Sequence, residues 1–107
     1  MIYFKHMNET TYDLIIIGGG PAGAASAVYA ARKRLKTLLV LKEWGGQSTV
    51  SDDIQNWIGT PHISGADLAK SLQAHVEEYR GDVLEIHTGS LVSKVENFTE
   101  KNFMIKY

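Results

Sequence analysis

The chain has 107 residues, a formal net charge of −1, 44% apolar and 21% charged residues, the make-up of one soluble globular domain or less. It contains no cysteine, so no disulfide, thiolate metal site or thiol nucleophile can be built from it. No basic excess points to nucleic acid or an anionic membrane surface, and no stretch approaches the roughly 18 consecutive apolar residues of a membrane span. Residues 1–11 lack the long apolar core of a signal peptide and are expected as a flexible leader. A cytoplasmic location fits the missing cysteines.

The first element is an apolar strand over residues 13–17. It runs straight into Gly18-Gly19-Gly20-Pro21-Ala22-Gly23, a Gly-x-Gly-x-x-Gly turn that opens a helix over residues 21–34. In that context the pattern reads as a cradle for a dinucleotide pyrophosphate. Gly18 permits the sharp turn off the strand. Gly20 lets the pyrophosphate approach the backbone, and Gly23 lets the helix lie close to the strand. Free N–H groups and the positive end of the helix dipole face the anion. Pro21 suits the helix start, where its missing N–H is not needed. The helix is dense in alanine, which allows close approach to a sheet.

A second strand is expected over residues 37–41. Its continuous apolar run suits a strand buried on both faces of a parallel sheet. Glu43 lies 25 positions after Gly18, a little beyond the usual offset of about 20 for the acidic residue that binds the ribose. The preceding Lys42 leaves a 2′-phosphate reading open. In the long loop that follows, Gly45-Gly46-Gln47 removes two side chains where a ligand could come close. It then supplies an amide that both donates and accepts. That suits a flavin edge, and it equally suits an ordinary Gly-Gly turn. Asn56 has a similar polar capacity or caps a helix, whereas Trp44 and Trp57 read as packing residues.

Ser64-x-x-Asp67 resembles a capping box at the start of a second helix ending near residue 79. Leu68, Leu72, Val76 and Tyr79 form its apolar face, with a partly buried His75 beside it. Gly81 is a plausible stop. Strands follow at 82–87, at about 90–96 with Leu91, Val92 and Val95 as the apolar positions, and at 103–107. The four histidines show no metal-ligand spacing. The alternation predicts an α/β fold: a partial doubly wound parallel sheet with strand order 3-2-1, then a short antiparallel β-meander. The first strand sits at an open edge.

Four segments together, namely residues 13–23, Tyr29-Ala-Ala-Arg32, Glu43-Trp-Gly-Gly-Gln47 and Ile54-Gln-Asn-Trp-Ile-Gly59, resemble the start of the bacterial thioredoxin reductase family. The likeness is greatest to the flavoprotein subunit of alkyl hydroperoxide reductase. It covers about residues 12–96 and implies an FAD/NAD(P)-binding Rossmann-like fold, with residues 12–107 as the N-terminal part of an FAD-binding domain. It implies FAD as cofactor, with Gly18, Gly20, Pro21, Ala22 and Gly23 on the pyrophosphate and Glu43 on the ribose. It also implies Gly46, Gln47 and Asn56 toward the flavin, and Val92 touching adenine through its backbone.

In that family electrons pass from NAD(P)H to FAD, then to a Cys-x-x-Cys pair and a protein disulfide. The NAD(P)H domain and its redox cysteines are not among these residues, so the chain alone is expected to be inactive. Two other readings stay open: a stand-alone dinucleotide-binding module that pairs with itself or a partner chain through the open sheet edge, and a ferredoxin–NADP reductase-like fragment.

Overall fold

The computed structural model describes residues 2–5, 9–99 and 102–107. In chain order the elements are β1 (Ile2–Lys5), β2 (Glu9–Tyr12), β3 (Leu14–Ile17), α1 (Pro21–Arg32), β4 (Thr37–Val40), a 3-10 turn (Gly46–Val50), α2 (Gly65–Tyr79), β5 (Leu84–His87), β6 (Lys94–Thr99) and β7 (Asn102–Lys106). β3, β4 and β5 form a parallel sheet with β4 in the middle, the expected 3-2-1 order. Leu14 pairs with Thr37 and Thr37 with Leu84.

A central strand has neighbours on both edges and layers on both faces, and all four residues of β4 are buried. On one face Ile16, Leu39 and Leu84 meet Ala24 and Ala27 of α1 and Leu68, Leu72 and Val76 of α2. On the other face Leu38 and Val40 pack with Tyr12 and Ile105. The parallel sheet is therefore sandwiched between a helix layer and residues belonging to a second sheet.

The helix ends follow local chemistry. The Ser64 side chain accepts the Asp67 N–H at 3.1 Å and caps α2, as the capping-box spacing predicts. α1 stops two residues earlier than expected. Arg34 turns left-handed at φ 61°, the Arg34 N–H bonds the Ala31 carbonyl and the Leu35 N–H the Ala30 carbonyl. This is the bonding pattern of a Schellman stop, here built on a non-glycine residue.

Two expectations are corrected. Residues 2–5 and 9–11, expected within a flexible leader over residues 1–11, lie in paired strands, the second of which ends at Tyr12. β1 and β2 are antiparallel, and β1 also pairs in parallel with β7. The expected antiparallel meander is present as the pair β6–β7, and β1 and β2 extend it to a four-stranded sheet of order β2-β1-β7-β6. The strand expected over residues 90–96 begins only at Lys94 and runs to Thr99. Leu91 and Val95 are exposed, and of the three apolar positions only Val92 packs against a core. Gly89 and Ser90 are spent in tying the loop to β4: the Gly89 N–H bonds the Lys42 carbonyl and the Ser90 N–H the Leu41 carbonyl.

Candidate dinucleotide-binding site

The site lies where the chain leaves the carboxyl ends of β3 and β4, the end at which open parallel sheets bind ligands. Gly18 follows β3 with φ 110°, a conformation that an L side chain resists. Its N–H still donates to the Val40 carbonyl at 2.8 Å, so the turn begins while the chain remains paired to β4. Gly20 caps α1 and Pro21 is the first helical residue. The Ala24 N–H bonds the Gly20 carbonyl at 2.9 Å. The N–H groups of Ala22 and Gly23 precede it and have no intrahelical acceptor. The first turn holds no acidic residue, so the helix itself supplies no charge to neutralise the positive end of its dipole.

The space around each glycine separates those that serve the fold from those that leave room. A Cβ on Gly23 would lie 1.9 Å from the Gly18 carbonyl oxygen; this glycine lets the helix rest on the turn. A Cβ on Gly20 would come no nearer than 3.9 Å to another residue, the Gly45 carbonyl oxygen. The face of Gly20 is therefore open. Gly46 closes the opposite side, with φ 53° and the position of its absent Cβ 3.7 Å from the Gly20 Cα. The Gly45 N–H donates to the Gly19 carbonyl at 2.8 Å, stitching the loop after β4 to the glycine turn. Two side-chain-free backbones, Gly20 and Gly46, thus face one another beside a helix N-terminus. That fits a pyrophosphate, whose oxygens need close N–H donors and no intervening Cβ.

Gly18, Gly20, Pro21, Ala22, Gly23 and Gly46 are brought together. Glu43 is exposed just beyond β4, and its carbonyl oxygen lies 3.0 Å from where a Gly19 Cβ would stand. Gln47 follows Gly46 in the 3-10 turn. Asn56 sits apart, on a small loop closed by bridges between Ile54 and Ile63 and between Trp57 and Thr60. The side chains of Glu43, Gln47 and Asn56 are exposed and make no hydrogen bond to the other described residues. Val92 belongs to the loop beyond β5, and its side chain packs on the sheet face away from the helices.

The pattern-based reading did not single out Gly19 or Gly65, and it took Gly45 only as a place where a ligand or backbone comes close. A Cβ on Gly19 would meet Leu41 Cδ1 at 2.4 Å, one on Gly45 would meet Ala69 Cβ at 2.7 Å, and one on Gly65 would meet the Ser48 carbonyl at 1.9 Å. Gly45 also has φ 84°. These residues hold the loop, the turn and α2 together. Their one sequence signal was glycine next to another glycine or at the first position of a helix, where it has no propensity advantage.

Trp57 reaches across to α1. With Pro21, Ala24, Tyr29, Leu72 and His75 it lines an apolar cavity of 160 Å³. His75, expected partly buried, is exposed, its ring 5.6 Å from that of Tyr79. In the same loop His62 Nδ1 lies 3.1 Å from Asp53 Oδ1. The Gln55 amide, and after it His62, hold the Asp53 carboxyl below its ordinary range. On the face away from the helices the Tyr12 hydroxyl donates to Glu85, and Tyr107 meets His87. Burial, then Glu85, pushes both phenols up, Tyr107 to about 12. Among the described residues no group of three His, Asp or Glu side chains is arranged to hold a metal, and no helix is long and apolar enough to cross a membrane.

The sequence pattern of the pyridine nucleotide-disulphide oxidoreductases matches residues 12–107. This chain belongs to that family. It is 46% identical over 79 residues to an alkyl hydroperoxide reductase subunit of Escherichia coli, covering 74% of this chain and 15% of that protein. It is 39% identical over 91 residues to the NADH dehydrogenase of Bacillus subtilis, 85% of this chain and 18% of that one. Among solved structures, thioredoxin reductase from Streptococcus pyogenes superposes with a TM-score of 0.72 at 36% identity, covering 88% of this chain and 32% of its own. The chain therefore spans under a fifth of these two curated relatives and about a third of that structure. The glycine turn and the parallel sheet lie inside the matched span. β1 lies outside it, as does β2 up to its last residue, Tyr12.

Proposed function

We propose that this chain is the FAD-binding N-terminal portion of a thioredoxin-reductase-like oxidoreductase, carrying the pyrophosphate half of the flavin site. One observation carries the reading: the open face of Gly20 beside the spare N–H groups of Ala22 and Gly23, walled by Gly46. Gly18 and Pro21 fix the turn and the first helical residue. Glu43 accepts hydrogen bonds from the ribose, Gln47 and Asn56 meet polar groups on the flavin side, and the backbone at Val92 meets the adenine. FAD, when bound, supplies the acceptor for a hydride from NAD(P)H and passes electrons on to a disulfide. This chain's own residues bind and orient it. No cysteine is present to carry the dithiol step, so the chain alone binds and does not turn over. We place the protein in the cytoplasm, where such dithiol chemistry operates under reducing conditions.

A second reading has its own observation. β3 is an edge of the parallel sheet and Ile17 is 52% exposed, so the module could work with a partner strand or a second copy paired there.

The test is a titration of FAD into the purified chain, read by quenching of flavin fluorescence and by thermal shift. Saturable binding that raises the melting temperature is expected, with Glu43→Ala weakening it and leaving the unliganded melting temperature unchanged. Absence of any FAD-dependent shift in excess FAD would overturn the cofactor assignment. Disulfide reductase turnover by this chain alone would overturn the view that it is only a binding part.

A further inference from the structure

The hairpin β1–β2 lies outside the family match except for Tyr12, and its position in the second sheet suggests a purpose. β6 covers one edge of β7 and β1 covers the other, in parallel, with Ile2, Tyr3 and Phe4 opposite Phe103, Met104 and Ile105. Among the described residues β1 alone covers that edge, and without it they would present the unpaired backbone of an apolar run, Phe103-Met104-Ile105, in a strand with Phe103 already 44% exposed. Such an edge is a template for another strand. The hairpin replaces it with β2, whose exposed ladder belongs to Glu9, Thr10 and Thr11. Charge and short polar residues are how natural sheets blunt an edge. The opposite edge, β6, carries Lys94, Glu96, Asn97 and Thr99 beside the exposed Val95.

The hairpin is also well placed to act as a unit. Its inner end is Tyr12, 4% exposed in the core with Leu38, Val40 and Ile105. The next residue, Asp13, is fixed to the body of the fold: its N–H donates to the Lys36 carbonyl at 2.8 Å and its carboxylate accepts the Lys36 N–H at 3.0 Å. Residues 2–5 then meet β7, about a hundred positions later in the chain. So distant a pairing forms late and carries a large closure entropy.

We infer that β1–β2 is an edge guard, which covers a strand-pairing surface on β7 that would otherwise take a second copy of this chain through an antiparallel β7–β7 contact. The self-pairing follows from the segment: Phe103-Met104-Ile105 is short, apolar and free of proline, and in an antiparallel pair it meets itself. Lys106 of one copy then falls across from Asn102 of the other, which avoids like charges in opposition.

The experiment compares the full chain with two variants, one lacking residues 2–8 and one carrying Tyr3→Pro, which removes a ladder N–H from β1. Amide hydrogen exchange is followed at Phe103–Ile105, and at Leu38–Val40 as the report on the body of the fold. Sedimentation is run from micromolar to millimolar protein. In both variants at low concentration, those amides of Phe103–Ile105 that face β1 rather than β6 should exchange at least tenfold faster, while the amides facing β6 and those of Leu38–Val40 stay protected. Protection at Phe103–Ile105 should return with concentration as a dimer forms. Unchanged exchange at Phe103–Ile105 would mean that β1 covers nothing. Lost protection with no dimer would refute self-pairing, and loss of protection at Leu38–Val40 in both variants would make the hairpin part of the core rather than a guard.

Discussion

Gly20 and Gly23 sit three residues apart in one motif, and their surroundings give opposite expectations for the same substitution. At Gly23 an alanine Cβ would begin 1.9 Å from the Gly18 carbonyl oxygen, and a real Cβ keeps at least 3.0 Å. Helix and turn would have to separate by about an ångström at the point where Ala24 and Ala27, both buried, pack on Ile16 and Leu39. Overpacking of this kind costs about 3 kcal/mol, out of a total stability of order 5–15 kcal/mol. For a chain of this size that lowers the melting temperature by roughly 12 °C or more.

At Gly20 the backbone is extended, with φ −77° and ψ −172°, so alanine adopts it without strain. Alanine is a poorer cap than glycine by roughly 0.5–1 kcal/mol, and it removes about 0.4–1 kcal/mol of unfolded-state freedom, so the two effects nearly offset. Folding stability should therefore stay within about 0.5 kcal/mol of the parent. The new methyl occupies the open face, 3.9 Å from the Gly45 carbonyl oxygen, and FAD affinity should fall at least tenfold, about 1.4 kcal/mol. Chemical denaturation gives the stability of each variant and flavin fluorescence the affinity. Gly23→Ala as stable as the parent, or Gly20→Ala binding FAD as tightly as the parent, would refute the division of labour between the two glycines.

Two further outcomes are expected. Ser64→Ala removes the acceptor for the Asp67 N–H and should destabilise by about 1 kcal/mol, measurable by urea denaturation. At high pH, Tyr12 and Tyr107 hold their protons more tightly folded than unfolded. The folded state then binds more protons above the ordinary tyrosine value of 10, so stability should fall as pH rises from 10 toward 12. Tyr12→Phe and Tyr107→Phe should each flatten that decline; an unchanged profile in both would remove the phenols as its cause.

The parallel half of the fold was legible because its signals are local. An apolar strand, a glycine turn and an alanine-rich helix identify one another within residues 13–34. The all-buried character of β4 shows as an unbroken apolar run. The capping spacing at Ser64 marks α2 to the residue. The second sheet was read less well. Leu91 and Val95 carry the side chains of a buried strand and are exposed, because the chain is first spent in tying Gly89 and Ser90 to the end of β4. His75 borders an apolar helix face and still opens to solvent at the rim of a cavity.

The sequence by itself determined the family, the strand order and the positions of the glycines of the turn after β3, since each depends on residues near one another in the chain and on backbone conformations that few residues adopt. Only the tertiary structure decided which glycine serves packing and which leaves room. That depends on atoms from three segments, Gly18 against Gly23, Gly45 and Gly46 against Gly19 and Gly20, and Ser48 against Gly65. The tertiary structure likewise decided that residues 2–5 form a strand, because their partner is β7, almost the whole chain length away. No local pattern encodes a pairing at that distance.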